Sequence, residues 1–356
     1  MRNLFTLLRN APEPSLVGGS EFEYSAALSK IIPSSTDFLT VVVTAVDEIA
    51  YIGDCITSIL KYPFKNNLEI LVVVSGDNQE IRAFLSQFDE VTILDHELTG
   101  EPGTPRNYAL SQAKGSWISF IDADDVYGTY ALETRLAVCQ MHSSEEDFAG
   151  TAFGNERFVG APSGTIHQRR DHSHMKRIDI EHGFSCNTFN PVVGAMYRKS
   201  ALERVGGFPV LGEAEDQFLL LRLGKAGFHL YVSTDRDSGY RQVKGSRHSQ
   251  NPPKVLDSLL RYESEILTYR IERMNARAYL HRGIPYSIRM SYPDIKKFQA
   301  AVEQIGTHYV HHISERSLSE FVRAGLHGIC PHEELEDEIV RYVALVQSWG
   351  ESERKA

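Results

Sequence analysis

Sulfur and indole are scarce in this chain: 4 Cys, 6 Met and 2 Trp among 356 residues. Cys55, Cys139, Cys186 and Cys330 lie far apart, with no CxxC pair and no zinc-ligand spacing. That excludes a disulfide framework and a zinc ribbon, and leaves reduced, mostly buried thiols. Cations are in deficit, with 37 Lys plus Arg against 47 Asp plus Glu, a net charge of −10. The chain therefore lacks the broad basic surface of a nucleic-acid binder, although small phosphate ligands, which need only a few local cations, stay open. Long apolar runs are missing too. The longest, residues 38–46, contains Thr40 and Thr44 and falls far short of the roughly 20 residues that span a bilayer. The opening MRNLFTLLRNAPEPS is interrupted at Arg9 and Asn10, too soon for a signal peptide, so cytoplasmic residence is the expectation. Hydrophobic residues make up 42% and charged residues 24%, which suits a globular body of one large or two medium domains.

From residue 38 onward, short β-branched runs alternate with helical stretches, the pattern of a sheet flanked by helices. The fold class is α/β. Residues 38–45 (FLTVVVTA), 68–74 (LEILVVV), 91–94 and 117–121 (WISFI) read as strands. Residues 49–60, 81–88 and 105–113 read as the helices between them. A polar stretch, residues 160–177, reads as a structureless surface loop. Apolar character returns at 191–197, followed by helices over 200–205 and 214–224 and a strand over 228–233. After Pro252 and Pro253, apolar residues fall only at helical spacing. The expected layout is an N-terminal extension (1–36), a catalytic body (37–250) and an all-helical C-terminal extension (251–356).

Chemistry concentrates where the fourth strand ends. In open α/β sheets ligands bind beyond the carboxyl ends of strands, and Asp122, Asp124 and Asp125 follow WISFI there. Two positions apart, the carboxylates of Asp122 and Asp124 can face one ligand while Ala123 faces away. Hard cations such as Mg2+ or Mn2+ take one or two such carboxylates and complete their shell with substrate phosphates. The plain alternative is an Asp-rich turn or a helix cap.

The neighbours of this turn decide between them. GTPRNYALSQAKGSWISFIDADDVYG (residues 103–128), and later VVGAMYRKSALERVGGFPVLGEAEDQFLLLRLGKAGF (192–228), resemble the family 2 glycosyltransferases, which have the GT-A, nucleotide-diphospho-sugar transferase fold. The likeness runs from about residue 38 to 246: an RN pair leading a helix, the DxDD strand end, a GGF turn, and an ED pair ahead of an LxxR helix. It implies a mixed, mainly parallel sheet flanked by helices and an inverting transfer of sugar from a nucleoside-diphosphate donor. It further implies that Asp122 contacts the ribose, that Asp124 holds the metal, and that Asp216 is the general base. A base must come within about 3 Å of the proton it takes. Acids in a first helical turn, such as Glu215 and Asp216, otherwise complement the helix dipole.

Thr44, Ala45, Val46 and Asp47 lie where the family builds its nucleoside pocket, with Thr44 in place of the usual Pro. In VVVSGDN (72–78), Val74 and Ser75 stand where many relatives carry two acids, one of which reads a uracil; Asp77 follows as the substitute acceptor. Arg106 is expected to face the nucleotide and Asn107 to brace the acidic turn. In GYRQVKGSRHSQ (239–250), Arg241, Lys244, Arg247 and His248 share one loop, where Arg241 and Arg247 could neutralise the leaving diphosphate and His248 could join the metal shell. Arg169, Arg170, Lys176 and Arg177 give the 160–177 loop a basic excess suited to an anionic acceptor.

The implied activity is metal-dependent transfer to a hydroxyl of a glycan or lipid-linked glycan, in cell-surface polysaccharide synthesis. No nucleic acid is expected as partner. A peripheral place at a membrane follows if the acceptor is lipid-linked, and the helical extension offers homo-oligomer contacts. A nucleotidyltransferase of the same fold is the alternative, but TAVDEIAY (44–51) lacks its Gly-rich basic loop. A silent glycan-binding scaffold is the other, and intact Asp122, Asp124 and Asp216 oppose it.

Overall fold

A run of β-branched residues with no charge can be buried on both faces, and residues Leu39–Ala45 (LTVVVTA) become the inner strand of a mixed sheet. The computed structural model describes residues 21–23, 38–63, 65–161, 174–178, 189–211 and 215–243, with Ser319, Asp337, Val340, Arg341 and Ala344 as single positions. Two compact units divide the chain: Gly18–Ser246, and Met1–Val17 with Arg247–Ala356. Every strand and every helix with a described length belongs to the first. In the second, the five single positions have helical backbone; the stripes expected there lie outside the described residues.

In chain order the strands are β1 (Glu21–Glu23), β2 (Leu39–Ala45), β3 (Leu68–Ser75), β4 (Val91–His96), β5 (Trp117–Asp122), β6 (Val126–Tyr127), β7 (Phe148–Phe158), β8 (His174–Ile178), β9 (Ala195–Arg198) and β10 (His229–Arg241). The helices are α1 (Ile52–Ile59), α2 (Gln79–Leu85), α3 (Gly103–Gln112), α4 (Ala131–Met141), α5 (Lys199–Arg204) and α6 (Glu215–Lys225). Across the sheet the order is β1-β8-β10-β7-β9-β5-β2-β3-β4, with β6 paired to β10. The half from β5 to β4 is parallel throughout. In the other half only β7 and β10 run parallel, and the remaining ladders are antiparallel. The sheet is therefore mixed, with its unbroken parallel stretch on the βα side. Ile52, Ile56 and Ile59 of α1 are fully buried with Val41, Val43, Val72 and Ile121 in one core. Each such side chain contributes about 1.5–3 kcal/mol of burial.

Two of the longer elements had no sequence signal. The 11-residue helix α4 buries Leu132, Thr134, Arg135, Leu136, Ala137, Val138 and Cys139, so no polar face marks its period. Arg135 is fully buried and grips Asp237 of β10 with two bonds of 2.8 and 2.5 Å. β7, FAGTAFGNERF, is Gly- and Ala-rich and lacks a β-branched run. One expectation is corrected: the stretch read as a structureless loop ends in a strand, since residues 174–178 form β8, which pairs with both β1 and β10.

Candidate functional site

The register of the parallel strands sets the site. Thr44 of β2 lies beside Asp122 of β5, and Ala45 beside Val74 of β3, so residues 44–48, 75–78 and 122–125 leave the sheet along one carboxyl edge. Asp122 Oδ1 accepts hydrogen bonds from Thr44 Oγ1 at 2.8 Å and Arg106 Nη2 at 2.7 Å. The Ala123 N–H binds the Thr44 carbonyl at 3.0 Å and its methyl is buried, while Asp124 is half-buried. Asp125 turns inward, where its Oδ1 accepts the Arg241 backbone N–H at 2.8 Å.

The acids crowd one another. Burial, then Asp122, then Glu48 push the Asp124 carboxyl up to about 7. Burial, then Asp124 and Asp122, hold Asp125 well above the usual carboxylate range. Glu48, also raised by burial, accepts from the Val46 and Asp47 N–H groups at 2.6 and 3.0 Å. Sequence reading passed over Glu48, whose only signal was a DE pair just past the first strand. Packed oxygen donors with surplus negative charge fit a hard divalent cation. They do not make a closed cage, because among the described residues three donor atoms come within 4.8 Å of one another only at Glu145, Asp147 and His229.

Arg106 is 3% exposed and does not stand free toward a nucleotide, as expected of it. Its Nη2 holds Asp122 and its Nη1 holds Glu215, with the guanidinium 5.4 Å from the centre of the Phe208 ring. The two carboxylates raise its pKa against the opposing effect of burial. Arg106 thus ties the acidic turn to the first turn of α6. There Glu215 is buried and Asp216 is half-buried, its Oδ1 accepting the Gln217 N–H at 2.8 Å.

Asn107 braces a different turn from the one expected. Its amide donates to the Phe208 carbonyl and accepts the Phe208 N–H, both at 2.8 Å, which secures the GGF turn. Gly207 there has φ +65°, and a Cβ would meet Asn107 Oδ1 at 2.3 Å. Gly206 has φ +74° with open space around it. Gly206→Ala should therefore cost only the conformational penalty, about 1 kcal/mol. Gly207→Ala should lose about 2–4 kcal/mol, because it also displaces Asn107. Urea unfolding of the two variants measures the difference.

Arg241 is also re-placed. It closes β10 rather than standing in the loop beyond, and it is 3% exposed. Nε donates to the Asp124 carbonyl at 2.6 Å, Nη2 to Asp54 at 2.9 Å and Nη1 to the Gly160 carbonyl, with Tyr51 and Phe158 rings 4.6 and 4.7 Å away. Each of its three guanidinium nitrogens makes one of these bonds, and it supports the acidic turn from inside. Lys244, Arg247 and His248 lie outside the described residues, as do Arg169 and Arg170.

Ser75 is buried at the end of β3, and beyond it exposed Asp77 accepts from Gln79 Nε2 at 2.7 Å. Asn78, unnoticed in the sequence, caps α2 through the Ile81 N–H and donates to the Val46 carbonyl at 2.9 Å, fastening the two strand ends together. Val46 is half-buried and Asp47 exposed. No helix among the described residues is long and apolar enough to cross a membrane.

Residues 36–238 match the family model described as glycosyltransferase like family 2. Glycosyltransferase GlyG of Streptococcus pneumoniae is 34% identical over 103 residues, 28% of this chain and 34% of that protein. Glycosyltransferase AglE of Haloferax volcanii is 26% identical over 209 residues, 57% of this chain and 66% of that one. The chain thus spans under two thirds of the length of each of these relatives. Among solved structures, residues 1–349 of Staphylococcus aureus TarS in complex with UDP-GlcNAc share the fold, with a TM-score of 0.52 at 17% identity over 88% of this chain and 92% of that one. With more than half its length covered by the family model and the acidic turn at the carboxyl edge of the sheet, the chain belongs to the family 2 glycosyltransferases.

Proposed function

We propose that the protein transfers a sugar from a nucleoside-diphosphate donor to a hydroxyl of a glycan or lipid-linked glycan, with inversion, in cell-surface polysaccharide synthesis. The observation that carries this reading is the Arg106 bridge, which brings the helix start bearing Asp216 against the turn bearing Asp122 and Asp124. In one displacement the acceptor oxygen attacks the anomeric carbon, Asp216 takes its proton, and the bond to the diphosphate breaks on the opposite face. Asp122 serves the ribose. Mn2+ or Mg2+, held by Asp124 with Asp122, would supply positive charge against the diphosphate. Arg247 and His248 belong to the same reading, as a cation for the leaving group and a further ligand. TarS, whose structures hold UDP-GlcNAc and UDP, supports a nucleotide sugar as the donor class, and its naming as a poly(ribitol-phosphate) β-N-acetylglucosaminyltransferase supports a polymeric acceptor.

Incubating the full chain with UDP-, GDP- and TDP-sugars, with and without Mn2+, tests this. Slow donor hydrolysis with one nucleotide is expected, together with Mn2+-dependent binding that Asp124→Ala weakens on the order of 100-fold. Failure to bind any nucleotide would favour the silent scaffold, and undiminished affinity in Asp124→Ala would remove the metal assignment.

A further inference from the structure

At the opposite end of β10, twelve residues from Arg241, a second group of ligating side chains has no part in the chemistry above. The chain turns after α4 through His142, Glu145 and Asp147, and β10 begins beside it at His229, whose N–H binds the Asp147 carbonyl at 2.9 Å. His229 is 1% exposed and presents one ring nitrogen to each acid. Nε2 lies 3.1 Å from Glu145 Oε2, and Nδ1 lies 3.4 Å from Asp147 Oδ2. A neutral imidazole carries a single N–H. With that proton on Nε2, toward Glu145, Nδ1 keeps a lone pair that makes no hydrogen bond and faces a carboxylate oxygen. Lone pair against lone pair in a buried ring is a repulsive contact, and a cation between them makes it attractive. A second ring proton would do the same, but it would sit buried beside Arg177, which already holds Asp147 Oδ2 at 2.9 Å.

We propose that Glu145, Asp147 and His229 form a structural site for a divalent transition-metal ion, best matched by Zn2+, remote from the nucleotide-sugar site. One donor atom from each residue lies within 4.8 Å of the other two. The ion would take the Nδ1 lone pair, and Glu145 would exchange its Nε2 contact for the ion as a tetrahedral zinc drew the three donors to about 3.3 Å. One imidazole with two carboxylates is a borderline donor set that suits zinc better than magnesium. His142 Nδ1, 2.6 Å from Glu145 Oε1, orients that carboxylate from behind, as ligand-supporting partners commonly do. The ion would pin the turn after α4 to the start of β10, at the far end of the strand whose other terminus supports the acidic turn. Arg177 competes for the Asp147 oxygen and would move aside.

The test uses the full chain, stripped with EDTA and loaded with Zn2+ under excess Mg2+ to cover the acidic turn. Retained zinc per chain is counted by elemental analysis after gel filtration. Wild type should retain one Zn2+ more than Asp147→Asn and than His229→Gln. Because Asp147 is half exposed on the surface, its variant keeps the test sound should the buried His229 variant fail to fold. Arg177→Ala should bind zinc about tenfold more tightly, having lost the competing cation. Equal zinc content in wild type and Asp147→Asn, or none in wild type, would overturn the proposal. Neither readout depends on sugar transfer, so either reading can fail without the other.

Discussion

Asp216→Asn is expected to leave donor affinity within about twofold of wild type while sugar transfer falls about a thousandfold, the middle of the range for removal of a general base. The substitution is isosteric. The Asn oxygen can still accept the Gln217 N–H, now bound at 2.8 Å by Asp216 Oδ1, so the first turn of α6 keeps its shape. On the proposed reading, what is lost is the ability to take a proton from the acceptor. The Arg106 bridge runs through Glu215, not Asp216, so the acidic turn keeps its support and the donor its site. Calorimetric titration of the nucleotide sugar and chromatographic assay of product separate the two quantities. Turnover near wild type would assign the base elsewhere. A parallel loss of donor binding would mean that Asp216 acts on the donor side.

How much of this was legible before the fold is clear from particular residues. β2 and β3 could be read from sequence because strands buried on both faces need unbroken apolar runs, and LTVVVTA and LEILVVVS supply them. The acidic turn could be read because its chemistry is local: two carboxylates at i and i+2 just past a strand. Helix α4 could not, because a helix buried nearly all round has no amphipathic period, and Arg135 inside it looks like surface until Asp237, 102 positions later, is found beside it. The same holds for the cations of the site. An arginine's local setting says only that it is charged; whether it faces solvent, phosphate or a buried carboxylate depends on residues brought in by topology. Arg106 meets Glu215 across 109 positions, and Arg241 meets Asp54 across 187. One was read as facing the nucleotide and the other as neutralising the leaving diphosphate, and both are buried against carboxylates inside the protein. The sequence pattern thus located the acids correctly at a strand end and misplaced the cations that hold them there.

Arg106→Ala is the sharpest consequence of that difference. If Arg106 merely met the nucleotide, its loss would weaken donor binding and leave stability nearly untouched, as for most surface substitutions. Because it instead joins Asp122 to buried Glu215, its removal leaves Asp122, already crowded by Asp124, and Glu215 without their counter-charge. The unfolding free energy should drop by about 3–5 kcal/mol, the range for breaking one side of a buried ion pair. Transfer should be lost as well, since nothing then fixes the Asp216 helix against the acidic turn. Arg106→Lys should recover little of either, because one ammonium cannot span two carboxylates that a planar guanidinium reaches with separate nitrogens. The discriminating variant is Arg106→Met combined with Glu215→Gln. With the charge gone from both ends of the buried pair, much of the stability should return in denaturant unfolding, while transfer stays below a hundredth of wild type for want of the bridge. Recovery of transfer along with stability would show that Arg106 is needed only for folding. A stability loss under about 1 kcal/mol in Arg106→Ala would contradict its buried bridging position.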